Sequence, residues 1–240
     1  MPTQVDLLGT LRRIEKSLFR RTAPGAAGVL DNGRQFGHTV VAVVAFCLAA
    51  SGTYFWNDIL DVEGDRHHPL KRLRPVASGA VPMTMARVVG SALLAGGVGI
   101  GLAVTWKLAV VIAAYVVVTL TYSLWFKHVA VVDLVMVASG FVLRAVAGAV
   151  AVDVKMSTWF LLCTSFGSMF IVTGKRYAEL REFGDDAVDH RPAMQEYTLG
   201  YLRIVLSVSV AATIVTYCQW AFTTKEISGS TWPFYELSII

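Results

Sequence analysis

Six apolar runs, near residues 38–56, 86–105, 108–126, 129–152, 157–173 and 201–223, constrain this chain more than anything else in it. All but the fifth reach the ~20 residues that an α-helix needs to cross a bilayer, and the fifth is marginal. They are rich in Gly, Ala and Val, which lets helices approach closely in lipid. With 55% of residues hydrophobic and only 16% charged, the chain is too apolar for an ordinary soluble domain. The expected fold class is therefore all-α: a multi-span transmembrane helix bundle. Cys47, Cys163 and Cys218 all fall inside apolar runs, so neither a disulfide framework nor a CxxC metal site is available. The first fifteen residues lack the compact apolar stretch of a cleaved signal peptide.

The charges between the runs set an orientation. Two connections are long and basic: 57–85, with Arg66, Lys71, Arg72 and Arg74, and 174–200, with Lys175, Arg176, Arg181 and Arg191. The alternate connections carry one lysine each, Lys107 and Lys155. Six spans threaded in order put both long loops, and the short turn with Lys127, on one side. The positive-inside rule makes that side cytoplasmic in a plasma-membrane protein. A net charge of +4 is then explained without nucleic acid. The amino end resists this threading, because 1–37 carries Arg12, Arg13, Lys16, Arg20, Arg21 and Arg34 yet falls outside. Residues 1–37 are therefore expected to form a basic amphipathic or atypical segment, distinct from a transmembrane domain over 38–240. The closing WPFYELSII resembles the start of a further span.

The chemistry concentrates in residues 57–79, NDILDVEGDRHHPLKRLRPVASG. Asn57, Asp58, Asp61 and Asp65 recur at helical spacings that bring several oxygens to one face. One or two carboxylates completed by substrate phosphates suit Mg²⁺. Lys71, Arg72 and Arg74 follow with positive charge for phosphate oxygens. A merely solvated acidic face is the competing explanation, and it is weak where acids are sparse and abut a span. Adjacent His67 and His68 cannot easily share one tetrahedral zinc, and no thiolate accompanies them. Arg144 lies inside an apolar run, where a charge costs about 2.5–3.5 kcal/mol on insertion scales. It should therefore face a wet cavity or an anionic partner, or pair with Asp133. Tyr54, Tyr122 and Lys127 stand near the same membrane surface, as ligand contacts or as interface anchors. Asp185, Asp186 and Asp189 read as a solvated loop.

The ordered set Asn57-Asp58-x-x-Asp61-x-x-x-Asp65, His68-Pro69-x-Lys71-x-x-Arg74-Pro75 and Ser78-Gly79 resembles the first signature of the UbiA superfamily of membrane prenyltransferases. Within it, VEGDRHHPLKRLRP, YSLWFKH (122–128), SGFVLRAVAGA (139–149) and GKRYAEL (174–180) are similar to the decaprenyl-phosphate phosphoribosyltransferase branch. The resemblance covers roughly 38–240. It implies a nine-helix fold with two polar motif loops on the cytoplasmic side, of which this chain matches helices two to seven. The second motif of the superfamily usually includes a DxxxD for another Mg²⁺. Aligned on Tyr177-Ala178, its first aspartate position is Arg181 here and its second Asp185, while Asp185 and Asp189 form a DxxxD out of register. Arg in place of a metal ligand, after Lys175-Arg176, favours direct phosphate binding.

The resemblance implies transfer of a 5-phosphoribosyl group from 5-phosphoribosyl 1-diphosphate to a polyprenyl phosphate, for cell-wall arabinan precursors. Mg²⁺ would be held by Asn57, Asp58, Asp61 and Asp65, with the three aspartates catalytic. Tyr54, Lys71, Arg74, Tyr122, Lys127, Arg144, Lys175, Arg176 and Tyr177 would bind substrate. Two rivals remain: an aromatic prenyltransferase using a polyprenyl diphosphate, and a truncated, inactive membrane protein. Self-association is left open.

Overall fold

The computed structural model describes residues 33–67, 71–183 and 192–228, and its regular structure there is entirely helical. Seven α-helices follow in order: α1 Gly33–Leu60, α2 Val62–His67, α3 Met83–Val104, α4 Trp106–Leu124, α5 Val132–Ala151, α6 Thr158–Phe183 and α7 Leu199–Ser228. Five of them, α1, α3, α4, α5 and the Leu199–Thr223 part of α7, are long and apolar enough to cross a membrane. The fifth expected span corresponds to α6, which is not among those five. Its 26 residues suffice in length, but Thr164, Ser165 and Ser168 dilute its apolar run. Each of those hydroxyls donates to the carbonyl four residues earlier, at 2.9, 2.8 and 2.6 Å, so none is left unsatisfied.

The expected boundary at 37/38 falls inside α1. Residues 1–32 lie outside the described residues, as do His68, Pro69, Asp185, Asp186, Asp189 and the closing WPFYELSII.

Small residues let the helices meet. A methyl group added at Gly97 of α3 would stand 2.7 Å from the Ala45 carbonyl oxygen and 2.9 Å from Ala49 Cβ on α1. Lipid tails are as apolar as the side chains, so this close backbone approach, rather than expulsion of water, holds α1 against α3. Thr105 separates α3 from α4; it leaves the helical region at φ −155° and caps α4 by accepting from the Leu108 N–H at 3.0 Å.

Two buried clusters organise the bundle. Phe46, Leu108, Ile112, Tyr115 and Ala147 join α1, α4 and α5. Leu134, Val172, Met194, Tyr197 and Leu202 join α5, α6, the Pro192–Glu196 turn and α7. Val43, Leu102, Val110, Val117 and Ile204 point outward, as lipid-facing residues should. Between the two clusters, at the end of the bundle that carries 61–67, 71–82 and 125–131, a polar cavity opens.

Candidate active site

The acidic wall of this cavity is built by one nearly continuous helix. Asp61 interrupts α1 and α2, yet its N–H still donates to the Asn57 carbonyl at 2.9 Å and the Asp65 N–H to the Asp61 carbonyl at 2.8 Å. The four-residue ladder therefore runs through the break and keeps Asn57, Asp61 and Asp65 on one face. All three line a cavity of about 930 Å³. The Asn57 side-chain carbonyl accepts from Ser123 Oγ at 2.9 Å, tying α1 to α4. Arg74 returns from the 71–73 turn and donates through one nitrogen to Asp58 at 3.1 Å and Asp65 at 2.9 Å.

The opposite wall is basic. Lys127, in the Phe126–His128 turn, forms an ion pair with Asp61. Lys175 and Arg176 come from α6. Arg176 is 5% exposed, and its Nε donates to Asp133 at 2.9 Å while another guanidinium nitrogen donates to Glu179 at 3.2 Å. Asp133 is fully buried and also accepts from the Tyr197 hydroxyl. That hydroxyl in turn accepts from the Val131 N–H at 2.7 Å. Val131 holds φ at 67°, an uncommon and strained conformation for a β-branched residue, and the hydrogen bond helps fix it there. Burial, then the bond to Asp133, push the Tyr197 phenol above the usual tyrosine range, so it stays a donor. One buried chain of contacts thus joins the turn that carries Lys127 to the helix that carries Lys175.

The cavity floor lies deeper in the bundle. Arg144 of α5 donates to the Tyr115 hydroxyl at 3.0 Å. Its guanidinium lies 5.0, 5.3 and 5.7 Å from the ring centres of Tyr115, Phe141 and Phe46.

These positions can be set against the expected site. Asn57, Asp61, Asp65, Tyr54, Lys71, Arg74, Tyr122, Lys127, Arg144, Lys175 and Arg176 all line the one cavity. Asp58 and Tyr177 do not. Asp58 sits behind the wall, against Arg74. Tyr177 points to α7, where its hydroxyl accepts from Arg203 at 3.3 Å, because it lies one residue round the helix from Arg176. Arg144 is not paired with Asp133, which is committed to Arg176. Four contributors lay outside the expected set: Ser123, Tyr115, Asp133 in its actual role, and Tyr197. Only Asp133 carried a sequence signal, as an acid at the start of an apolar run; the others are ordinary side chains made polar partners by packing.

Among the described residues six Lys and Arg side chains line the cavity against three carboxylates, so this lining favours anions. The donor set of the acidic wall, an amide oxygen and two carboxylates facing the cavity, is of the kind a hard cation takes, and in this structure Lys127 and Arg74 balance the carboxylate charge. Among the described residues no three His, Cys, Asp or Glu side chains converge as a complete metal cage. Magnesium is usually bound by one or two carboxylates with phosphates and water completing the shell, so this partial set fits it.

A helical bundle with a polar, anion-attracting cavity walled by Asn-Asp-x-x-Asp defines a class. The chain belongs to the UbiA prenyltransferase family, whose model matches residues 22–239. It is a multi-pass membrane protein of that family. It is 47% identical over 213 residues to the decaprenyl-phosphate phosphoribosyltransferase of Mycolicibacterium smegmatis, covering 86% of this chain and 66% of that one. To the decaprenyl-phosphate phosphoribosyltransferase of Corynebacterium glutamicum it is 39% identical over 229 residues, covering 94% of this chain and 69% of the relative. The chain thus spans about two thirds of the length of these relatives. Its fold matches that of a UbiA homolog from Archaeoglobus fulgidus bound to GPP and Mg²⁺, with TM-score 0.69 and 19% identity, over 85% of this chain and 75% of that one.

Proposed function

We propose that this protein transfers a 5-phosphoribosyl group from 5-phosphoribosyl 1-diphosphate to a polyprenyl phosphate, releasing diphosphate. The observation that carries the reading is the asymmetry of the cavity. One wall is Asn57, Asp61 and Asp65; among the described residues the other carries Lys127, Lys175 and Arg176, with a single carboxylate, Glu179, that is paired to Arg176. A donor bound through one metal site and direct cation contacts fits such a pair of walls better than a donor clamped by metals on both. The relatives named above support the same reaction.

In the reaction an oxygen of the lipid phosphate attacks C1 of the ribose, the C1–O bond to the diphosphate breaks, and the electron pair leaves with diphosphate. The nucleophile is already an anion, so no proton has to be removed first. Asn57, Asp61 and Asp65, with Asp58 behind them, would hold Mg²⁺, which would neutralise the departing diphosphate when bound. Lys71 and Lys175 bind and orient phosphate oxygens. Arg176, locked by Asp133 and Glu179, holds the basic wall in place rather than reaching into substrate. Tyr122 and Lys127, at the mouth, receive the lipid phosphate. The mouth faces the cytoplasm of a plasma membrane, where the water-soluble donor resides, and the product serves as a precursor of cell-wall arabinan.

Washed membranes incubated with labelled 5-phosphoribosyl 1-diphosphate, Mg²⁺ and a polyprenyl phosphate test this. Label should enter an organic-soluble product. Prenylation of an aromatic acid from a polyprenyl diphosphate, with no use of the ribosyl donor, would establish the rival transferase instead. No transfer from either donor would leave an inactive protein.

A further inference from the structure

Asn57 and Asp61 of α1 are each held from the end of α4, by Ser123 and Lys127, and both pairs are 66 residues apart in sequence. The two contacts differ in kind. Lys127 and Asp61 carry charge and their side chains are 24% and 23% exposed, so water and incoming ions reach them. Ser123 is neutral and 3% exposed, and its hydroxyl donates to the Asn57 side-chain oxygen at 2.9 Å.

The serine does not need that contact for its own satisfaction. Its Oγ also stands 3.0 Å from the Thr119 carbonyl oxygen, four residues earlier, which is an ordinary acceptor for a hydroxyl in a helix. Alanine at 123 would leave the backbone ladder of α4 intact and is the better helix former. The group that gains from Ser123 is Asn57. The last torsion of an asparagine is broad and roughly two-fold, and one end of its amide is a pure donor while the other is a pure acceptor. A cation takes only the oxygen end. In this structure the oxygen lies against Ser123, with one lone pair on the serine proton and a second left for another partner. The Asp61 carboxylate stands one helical turn further along the same face.

We infer that Ser123 is a positioning residue for the metal: it holds the Asn57 carboxamide oxygen at the acidic wall, ready to share a cation with Asp61. The inference rests on the proposed reaction, in which Mg²⁺ accompanies the diphosphate. Groups that orient metal ligands from behind are worth about 10–100-fold in metal affinity. A neutral hydroxyl behind one ligand of several belongs at the lower end, about 10-fold.

The test titrates manganese(II), which takes the same oxygen ligands, into the purified full chain in micelles with inorganic diphosphate present, and counts the free ion by electron paramagnetic resonance. Ser123→Ala should weaken manganese binding by about 10-fold, whereas Ser123→Thr, which keeps the hydroxyl, should stay within about 3-fold of the unaltered protein. In transfer assays Ser123→Ala should raise the magnesium concentration for half-maximal rate by about the same 10-fold. The rate at saturating magnesium should stay within about 3-fold. In Asn57→Asp either end of the side chain is an oxygen, so adding Ser123→Ala should weaken manganese binding by less than about 2-fold. Unchanged manganese affinity in Ser123→Ala overturns the inference and leaves the reaction standing. Equal weakening in the Asn57 and Asn57→Asp backgrounds also overturns it, by making Ser123 a packing residue only. Should Asn57→Asp not fold, the pair at 123 still decides, because equal weakening by alanine and threonine would rule out the hydroxyl. No manganese binding by the unaltered protein would sink the magnesium assignment of the proposed reaction, and this inference with it.

Discussion

Removal of the Asp133 carboxylate should cost this protein more stability than removal of any acid on the cavity wall. Asp133 is fully buried and accepts from Arg176, whose side chain is 6% exposed, and from Tyr197, which is 5% exposed. Asp133→Ala would leave the Arg176 guanidinium buried with Glu179, 3.2 Å away and 38% exposed, as its one counter-charge among the described residues. Breaking a buried ion pair from one side costs about 3–5 kcal/mol, and Glu179 places this case near the lower end. The Tyr197 hydroxyl loses its acceptor as well, for about 1 kcal/mol more. The expected total is about 4 kcal/mol. Tyr197→Phe should cost about 2 kcal/mol, because it also strands the Val131 N–H at a strained position. The two substitutions share one hydrogen bond, so the double variant should be about 1 kcal/mol less destabilised than the sum. Reversible unfolding in mixed micelles, followed by far-ultraviolet circular dichroism, measures all three. A loss below about 1 kcal/mol for Asp133→Ala, or strict additivity with Tyr197→Phe, would refute the view that this chain of contacts braces the basic wall.

Three further outcomes are expected. Asp61→Ala should leave the protein membrane-inserted but abolish transfer, and excess EDTA should do the same to the unaltered protein; full activity in either case would remove magnesium from the mechanism. Gly97→Val places a methyl-bearing carbon against the Ala45 carbonyl and should destabilise the bundle by about 1–3 kcal/mol through overpacking, read in the same micelle assay. Single cysteines at Arg72→Cys and Lys155→Cys, both exposed and at opposite ends of the bundle, should react with an impermeant maleimide only after lysis for the first and in intact cells for the second. The reverse pattern would invert the orientation.

The sequence by itself determined the membrane class, the helical fold and the acidic half of the cavity. Those properties are local: apolar length selects spans, and Asn57, Asp61 and Asp65 share a face because four residues make about one helical turn. It also marked Arg144 as anomalous, since a charge inside an apolar run is visible without any fold. The partners of these groups were not legible. Ser123 reaches Asn57 across 66 positions, Lys127 reaches Asp61 across another 66, and Arg176 finds Asp133 across 43. No periodicity encodes such pairings; they exist only once α1, α4, α5 and α6 are packed side by side. The same packing turned Tyr177 away from the cavity while its neighbour Arg176 faces it, a 100° rotation that motif resemblance does not resolve. It also gave Asp133 to Arg176 and left Arg144 to the aromatic rings, because side chains about 16 Å apart along one helix cannot meet.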